Sequence, residues 1–158
     1  MKSAKVRDWL EIVGIFSVVA SLVFVGLQMR QAHEISLSQA YQARTSAAAE
    51  INAAFASNPA ALSGYRKAGD GAEEEITPEE YDSLYRMIVS VMYLYDNAHY
   101  QYQVGFVSEE FWTTTRKSLK ALMSRPVVND MILDRLDVQG RPEFQEVVRS
   151  INEELRAH

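Results

Sequence analysis

The chain has 158 residues, and its hydrophobic fraction of 47% is typical of a folded protein and not of a disordered segment. The formal net charge of -5 lacks the basic excess that nucleic-acid binding requires, so no nucleic-acid partner is expected. Because the chain contains no cysteine, disulfide bonds, thiolate metal sites and cysteine nucleophiles are excluded.

The first predicted element is a long apolar stretch near the N-terminus. Residues 12–27 carry no charged side chain, and Trp9 and Leu10 extend the run. A helix of about 19–20 residues rises roughly 30 Å, which is the hydrocarbon thickness of a bilayer. Its apolar side chains surround the helix, whereas a surface helix of a soluble domain has one apolar stripe. We therefore predict a membrane anchor over residues 1–28.

Two other interpretations of this stretch stay open. A cleaved signal peptide has an apolar core of about 7–15 residues and a small-residue cleavage site soon after it. Here the core is longer and runs directly into Gln28-Met29-Arg30-Gln31, without an A-x-A pattern. A buried core helix is the second alternative. Glu11 lies near the start of the helix, where its side chain can reach the headgroup region of a bilayer.

The flanking basic residues predict the orientation of the anchor. Lys2, Lys5 and Arg7 precede the apolar stretch, and Arg30 follows it. Because basic residues are retained on the cytoplasmic side, this bias places the N-terminus in the cytoplasm. We predict a single-pass protein of a bacterial cytoplasmic (inner) membrane, with the lipid bilayer as a partner and the helical domain in the periplasm.

Three small residues in the apolar stretch share one face of the predicted helix. Gly14, Ser17 and Ser21 follow one another at spacings of three and four. Small side chains let two membrane helices approach closely, so this face predicts a homo-oligomer. The alternative is that such residues are simply common in membrane helices.

The predicted anchor continues without a helix breaker into a helical stalk, residues 29–56, which is rich in good helix formers. Apolar and aromatic residues recur there at helical spacings. They are Leu37, Tyr41, Ala48, Ile51 and Phe55. We predict one long helix that ends near Ala56, before Asn58-Pro59, because a residue that precedes proline disfavours the helical conformation.

Helix-start signals divide the rest of the chain into shorter helices. Thr77-Pro78-Glu79-Glu80 combines an N-cap threonine, a proline at the first helical position and a capping-box glutamate. Ser108 is the predicted N-cap of another helix. The remaining helices are predicted to begin at prolines: Pro59, Pro126 and Pro142. An acidic loop, residues 72–75, is predicted after the first of them.

The fold class follows from these patterns. The helix opened by Thr77 has apolar or aromatic residues at core-facing spacings, at positions 81, 84, 85, 88, 91, 92, 95, 98 and 102. No strand pattern appears. We predict an all-α fold in which an N-terminal transmembrane helix continues into a long helix and a small antiparallel helical bundle. The predicted domains are an anchor, residues 1–28, and a helical bundle domain, residues 29–158.

The densest group of polar and aromatic residues lies at 93–105. Asp96 and His99 have the spacing of half a di-iron carboxylate site, but His33 and His158 provide no second pair, so no metal or other cofactor is expected. The alternatives are a tyrosine-rich core and a ligand or partner face, since tyrosine is enriched at interfaces. The residues of that face are Tyr93, Asp96, Asn97, Tyr100 and Gln101.

Signatures of catalysis are missing from the sequence. There is no G-x-S-x-G nucleophile motif and no phosphate-binding glycine motif. Paired carboxylates such as Glu109-Glu110 and Glu153-Glu154 are typical of solvated helix faces. We therefore predict a protein that is not an enzyme and has no catalytic residues.

Several short motifs in the chain resemble those of a bacterial protein family. They are residues 28–31, 50–52, 56–59, 96–102 and 105–112. In these motifs the chain resembles an uncharacterised bacterial family of small, single-pass, membrane-anchored helical proteins, whose apolar helix closes in Q-x-R-Q. The resemblance implies a membrane-anchored helical protein and brings no known activity. Residues 127–130 depart from the more aromatic C-terminal region of that family, so no shared surface is implied there.

Three functional hypotheses follow from these predictions. The first is a membrane protein whose helical domain is an interaction or scaffold module, as a homo-oligomer or with an unknown protein partner. The second is a membrane-anchored domain that binds or senses a small molecule through the 93–102 helix face. The third is an enzyme with an unfamiliar helical site.

Overall fold

The computed structural model describes residues 2–157, with side chains from Trp9 onward. Six α-helices and one 3₁₀ turn make up this part of the chain, and it contains no strand. The all-α prediction is therefore confirmed. The helices are α1 (Lys2–Ala56), α2 (Pro59–Lys67), α3 (Pro78–Gln103), α4 (Glu109–Met123), α5 (Pro126–Gln139) and α6 (Pro142–Arg156).

The chain divides into two compact units, Met1–Gln42 and Ala43–His158. The first unit consists of the N-terminal part of α1. Its large apolar side chains between Trp9 and Leu27 are all exposed, from 40% for Val13 to 71% for Phe16. By length and composition this stretch is sufficient to cross a membrane. The prediction that one continuous helix extends from the apolar stretch to about Ala56 is confirmed.

The second unit is a helical bundle with one apolar core. Buried residues from α3, α4, α5 and α6 meet in this core. Ala68, just after α2, is also a buried member of it. Three members on α3 are positions that the sequence pattern predicts as core-facing: Leu84, Ile88 and Met92. The members from the other helices are Leu119, Met123, Val128, Met131, Ile132, Leu136, Phe144, Val148 and Ile151.

Local capping explains where two of these helices begin. The Thr77 hydroxyl accepts a hydrogen bond from the backbone N–H of Glu80, and the Glu80 carboxylate accepts one from the backbone N–H of Thr77. The Ser108 hydroxyl likewise accepts from the backbone N–H of Phe111. Both predicted caps are confirmed, because each depends only on residues within one helical turn.

The contact between α2 and α3 depends on small residues that the sequence pattern does not single out. Ala61 and Gly64 are buried on α2. A Cβ atom added at Gly64 would lie 3.1 Å from the backbone carbonyl oxygen of Glu80. Glycine therefore lets the two helix backbones approach closely at this point.

Two local predictions differ from the structure. The predicted acidic loop contains a 3₁₀ turn at Glu73–Glu75, closed by a hydrogen bond from the Ile76 backbone N–H to the Glu73 carbonyl. Tyr81, predicted to face the core, is 44% exposed and stacks on Tyr85 with ring centroids 6.3 Å apart. Tyr81 lies in the first turn of α3, where the helix extends past the buried positions that begin at Leu84.

Candidate functional site

The five residues predicted as a ligand or partner face lie in two neighbouring rows along α3. Tyr93, Asn97 and Gln101 form one row at spacings of four, and Asp96 and Tyr100 form another. The first row contacts α1 and the second contacts Arg141, and one residue of each row, Tyr93 and Asp96, lines a small cavity between α3, α5 and α6.

The row of Asp96 and Tyr100 is bound by Arg141, which lies between α5 and α6. The Arg141 Nε donates to Asp96 Oδ1 at 2.9 Å, and one terminal nitrogen of the guanidinium donates to the Asp96 carbonyl at 3.2 Å. The guanidinium also lies over the Tyr100 ring, with its carbon 5.0 Å from the ring centroid. These contacts hold the turn before α6 on α3, while the Tyr100 side chain stays 49% exposed.

The row of Tyr93, Asn97 and Gln101 faces the C-terminal part of α1. Arg44 of α1 donates to the Gln101 side-chain oxygen, and the Gln101 amide nitrogen donates to Asn97 Oδ1 at 2.7 Å. The Arg44 guanidinium carbon lies 5.1 Å from the centroid of the Phe111 ring. A chain of side-chain contacts therefore connects α1, α3 and α4 at this position.

A pocket of about 300 Å³ opens beside this chain of contacts, between α1 and α3. Three of the five predicted face residues line it. Its lining residues are Ala43, Arg44, Ala47, Ile51, Ser90, Tyr93, Leu94, Asn97 and Gln101. It therefore combines an arginine and several hydrogen-bonding groups with short apolar side chains.

A second pocket of about 290 Å³ lies further along α1 and α3, where α2 and α4 also contribute to the lining, and Ile51 lines both pockets. It is lined mainly by apolar and aromatic side chains. They are Ile51, Asn52, Phe55, Tyr65, Met87, Ile88, Val91 and Leu122. We call the two pockets together the α1/α3 groove. Its polar part lies near Arg44, and its apolar part lies near Phe55.

His99 is buried in an aromatic environment and does not contribute to the groove lining. It is 6% exposed, and its ring lies 4.8 Å from the Trp112 ring and 6.1 Å from the Phe144 ring. Its Nδ1 atom is buried and makes no hydrogen bond within the described part of the chain. Burial lowers the pKa of His99, and the positive charge of Arg141 lowers it further. His99 is therefore a neutral core residue at pH 7.

Two carboxylates with strongly lowered pKa values bind basic side chains. Hydrogen bonds from Lys67, Ser63 and the Thr77 backbone lower the pKa of Glu80 to about 2. Hydrogen bonds from Arg116 and Lys120 lower the pKa of Glu154 to about 2. The Lys67 ammonium lies 2.7 Å from the Glu80 carboxylate, and the Lys120 ammonium lies 2.8 Å from that of Glu154. Both carboxylates stabilise helix contacts and stay ionised, so neither is suited to proton transfer near neutral pH.

Gly14, Ser17 and Ser21 all lie on the exposed surface of the first unit. A Cβ atom added at Gly14 would have no neighbour within 4 Å. The Ser17 hydroxyl donates to the Val13 carbonyl at 2.8 Å, so its hydrogen bond is made within the helix. This face therefore carries small side chains, and the Ser17 hydroxyl already has a hydrogen-bond partner within the helix. Both features suit close helix packing in an apolar medium.

Some contributors to the site are not predicted by the sequence pattern. Arg44 lines the polar part of the groove and lies over the Phe111 ring, and Arg141 pairs with Asp96 of the other row. Arg44 lies 57 positions from Gln101, and Arg141 lies 45 positions from Asp96. A spacing pattern within one helix contains no information about pairs that are so far apart in the sequence. Among the side chains that the structure describes, from Trp9 to Ala157, no cluster of three or more His, Asp or Glu residues is placed to hold a metal ion.

No family model, no curated protein and no solved structure matches this chain.

Proposed function

We propose that this protein is a single-pass membrane protein whose helical unit, residues 43–158, is a non-enzymatic interaction or scaffold module. The main observation that supports the proposal is the exposed apolar surface of residues 9–27. Large apolar side chains are exposed around this helix, and a soluble monomer rarely exposes a contiguous apolar patch of more than a few hundred Å². A bilayer would cover this surface, and the flanking charges favour a cytoplasmic N-terminus and a periplasmic bundle.

Homo-oligomerisation is part of the proposal and would use the face of Gly14, Ser17 and Ser21. Because the chain contains no cysteine, single cysteines can be introduced without removing native ones. Gly14→Cys, Ser17→Cys and Ser21→Cys should each form a disulfide-linked dimer when membranes are oxidised. Val19→Cys and Val23→Cys, on the opposite face, are the matched controls.

The yields of crosslinked dimer at the five positions show whether the helices pack through the proposed face. Dimers at the three small positions that exceed those at 19 and 23 support the proposed face. Equal crosslinking at all five positions, or none at any of them, contradicts it.

Protease access to a C-terminal tag in spheroplasts then tests the orientation. Digestion from outside supports a periplasmic bundle, and a protected tag contradicts it.

The non-enzymatic part of the proposal is supported by the roles of the titratable groups. Asp96, Glu80 and Glu154 each form an ion pair with a basic residue of another helix or turn. His99 packs against the Trp112 and Phe144 rings at tilted angles. Each of these four titratable groups therefore makes a contact that stabilises the bundle.

A second candidate function is the binding or sensing of a small molecule. The observation that favours it is the position of Tyr93, Asn97 and Gln101 in the lining of a pocket of about 300 Å³. Ligand sites in proteins begin at roughly this volume and place a few polar groups among apolar ones. The groove formed with the second pocket has this composition.

A further inference from the structure

We infer that the α1/α3 groove binds a single-chain amphiphile with an anionic head, such as a medium-chain fatty carboxylate. This inference rests on the second candidate function and names its ligand class. It goes beyond membrane anchoring, because it concerns the bundle and not the apolar helix.

The polarity of the groove changes along its length. The helices α1 and α3 run in opposite directions, so Arg44 lies beside Gln101 while Phe55 and Met87 line the other pocket. Residues 44 and 55 are 11 positions apart, which corresponds to roughly 17 Å along a helix. An elongated ligand with a polar head and an apolar tail matches this order of side chains.

The charge of the lining selects the sign of the head group. Arg44 places a positive charge in the lining of the polar pocket, and this charge is complementary to an anionic head group. Arg44 is oriented by its bond to Gln101 and by the Phe111 ring beneath it. A guanidinium donates in a planar fork that matches a carboxylate, and Asn97 and Tyr93 add hydrogen-bonding groups in the same pocket.

The apolar pocket provides the contacts for the tail. The Phe55 and Tyr65 rings meet edge to face with centroids 5.5 Å apart, and Met87 is a flexible side chain that can adjust to an alkyl chain. Each methylene transferred from water into such a pocket strengthens binding by up to roughly fourfold. Affinity should therefore rise with chain length until the tail fills the groove.

Photolabelling of the full chain in phosphatidylcholine nanodiscs tests the inference. The probe is decanoic acid that carries a diazirine in its chain, compared with its methyl ester. Labelled positions are mapped by peptide mass spectrometry in the wild type, in Arg44→Gln and in Arg86→Gln. Arg86 is the matched control, because its side chain is 82% exposed and it lies outside the lining of either pocket.

Selective labelling is the expected result. The acid should label residues within 43–55 and 87–101 at least fivefold more than the ester does, and unlabelled decanoate should suppress this labelling. Arg44→Gln should lower it at least fivefold, and Arg86→Gln should leave it unchanged. If only unlabelled decanoate suppresses the labelling of the groove, the ligand is a free fatty acid. If a decanoyl lysophosphatidate suppresses it as well, the ligand is a membrane lipid with one acyl chain. Either pattern supports the inference.

Labelling confined to residues 9–28, or equal labelling of the groove by acid and ester, would overturn the inference. The acid and ester are compared on the wild-type chain, so this test does not depend on the folding of Arg44→Gln. Recovery of the chain in the nanodiscs reports anchoring separately. A failure of the groove inference therefore leaves the membrane proposal intact and can be distinguished from it.

Discussion

Arg141 binds Asp96 through Nε at a distance of 2.9 Å, and this ion pair joins the turn before α6 to the middle of α3. The two side chains are 32% and 15% exposed, so the pair is partly shielded from solvent. Arg141 also donates to Gln103 at 3.0 Å and lies over the Tyr100 ring. One side chain from a connecting turn therefore makes several contacts along α3.

Loss of the Arg141 guanidinium should destabilise the bundle. Arg141→Met keeps an unbranched side chain but leaves the Asp96 carboxylate without its cation, and we expect a loss of about 1–3 kcal/mol in the free energy of unfolding. Urea unfolding of the detergent-solubilised full chain, followed by near-UV circular dichroism, measures the change. Arg86→Met is the control, with a loss below about 0.5 kcal/mol, because the Arg86–Asp82 pair is mostly exposed. Equal losses in the two variants would contradict a structural role for Arg141.

His99 should make the stability of the bundle depend on pH. Its pKa in the folded state lies below its ordinary value of about 6.5, so the unfolded chain takes up a proton before the folded chain does. Stability is therefore present in full above about pH 6.5 and declines as the pH falls from there towards the folded-state pKa. Asp96 and Glu143 oppose the shift, and Arg141 adds to it.

The His99→Phe variant tests this dependence. Phenylalanine keeps a ring between Trp112 and Phe144 but cannot take up a proton. The fall in Tm between pH 7.5 and pH 5.5 should be smaller in the variant than in the wild type. Equal falls in both proteins would show that other groups cause the pH dependence.

Glu80 should contribute stability in a lower pH window. Its pKa of about 2 lies below the ordinary glutamate value, so its ionised form is favoured by folding. This contribution is present above about pH 4.5 and is lost as the pH falls towards 2. Glu80→Gln should therefore lower Tm at pH 7 and have little effect at pH 2. A Tm difference between wild type and variant that is the same at both pH values would contradict this, and the exposed neighbour Glu79→Gln is the control.

The close approach of α2 and α3 at Gly64 should not tolerate a larger residue. In Gly64→Ala the new Cβ would lie 3.1 Å from the Glu80 carbonyl oxygen, so one of the two backbones must shift. Overpacking of this kind costs about 1–3 kcal/mol, which outweighs the higher helix propensity of alanine. Urea unfolding measures the cost, and Gly26→Ala is the control because a Cβ there has no neighbour within 4 Å. A more stable Gly64→Ala variant would show that the helices separate without cost.

Sequence patterns predict this fold well where the determining interactions are local. The caps at Thr77 and Ser108 and the helices that begin at Pro59, Pro126 and Pro142 each depend on residues within one turn. Helical periodicity likewise predicts core residues such as Leu84, Ile88 and Met92. The burial of Gly64 depends on how closely another helix approaches, and no periodicity within α2 contains that information.

The candidate site is less predictable for the same reason. Residues 93–101 form a conspicuous polar and aromatic segment, but its division into two rows depends on Arg44 and Arg141, which come from distant parts of the chain. The sequence also suggests a metal-ligand spacing for Asp96 and His99. In the structure Asp96 pairs with Arg141, while His99 packs against Trp112. Helix spacing alone does not distinguish a ligand pair from two residues with different neighbours.

The central proposal is that residues 9–27 anchor the chain in a membrane, and one fractionation experiment tests it most directly. The full chain with a C-terminal tag is expressed in bacteria, the membranes are washed with alkaline carbonate, and the tagged protein is analysed by intact-mass spectrometry. We predict that the tag stays in the washed membranes at the mass of the uncleaved chain. A shorter tagged species in the soluble fraction would contradict the anchor and identify residues 9–27 as part of a removed signal sequence.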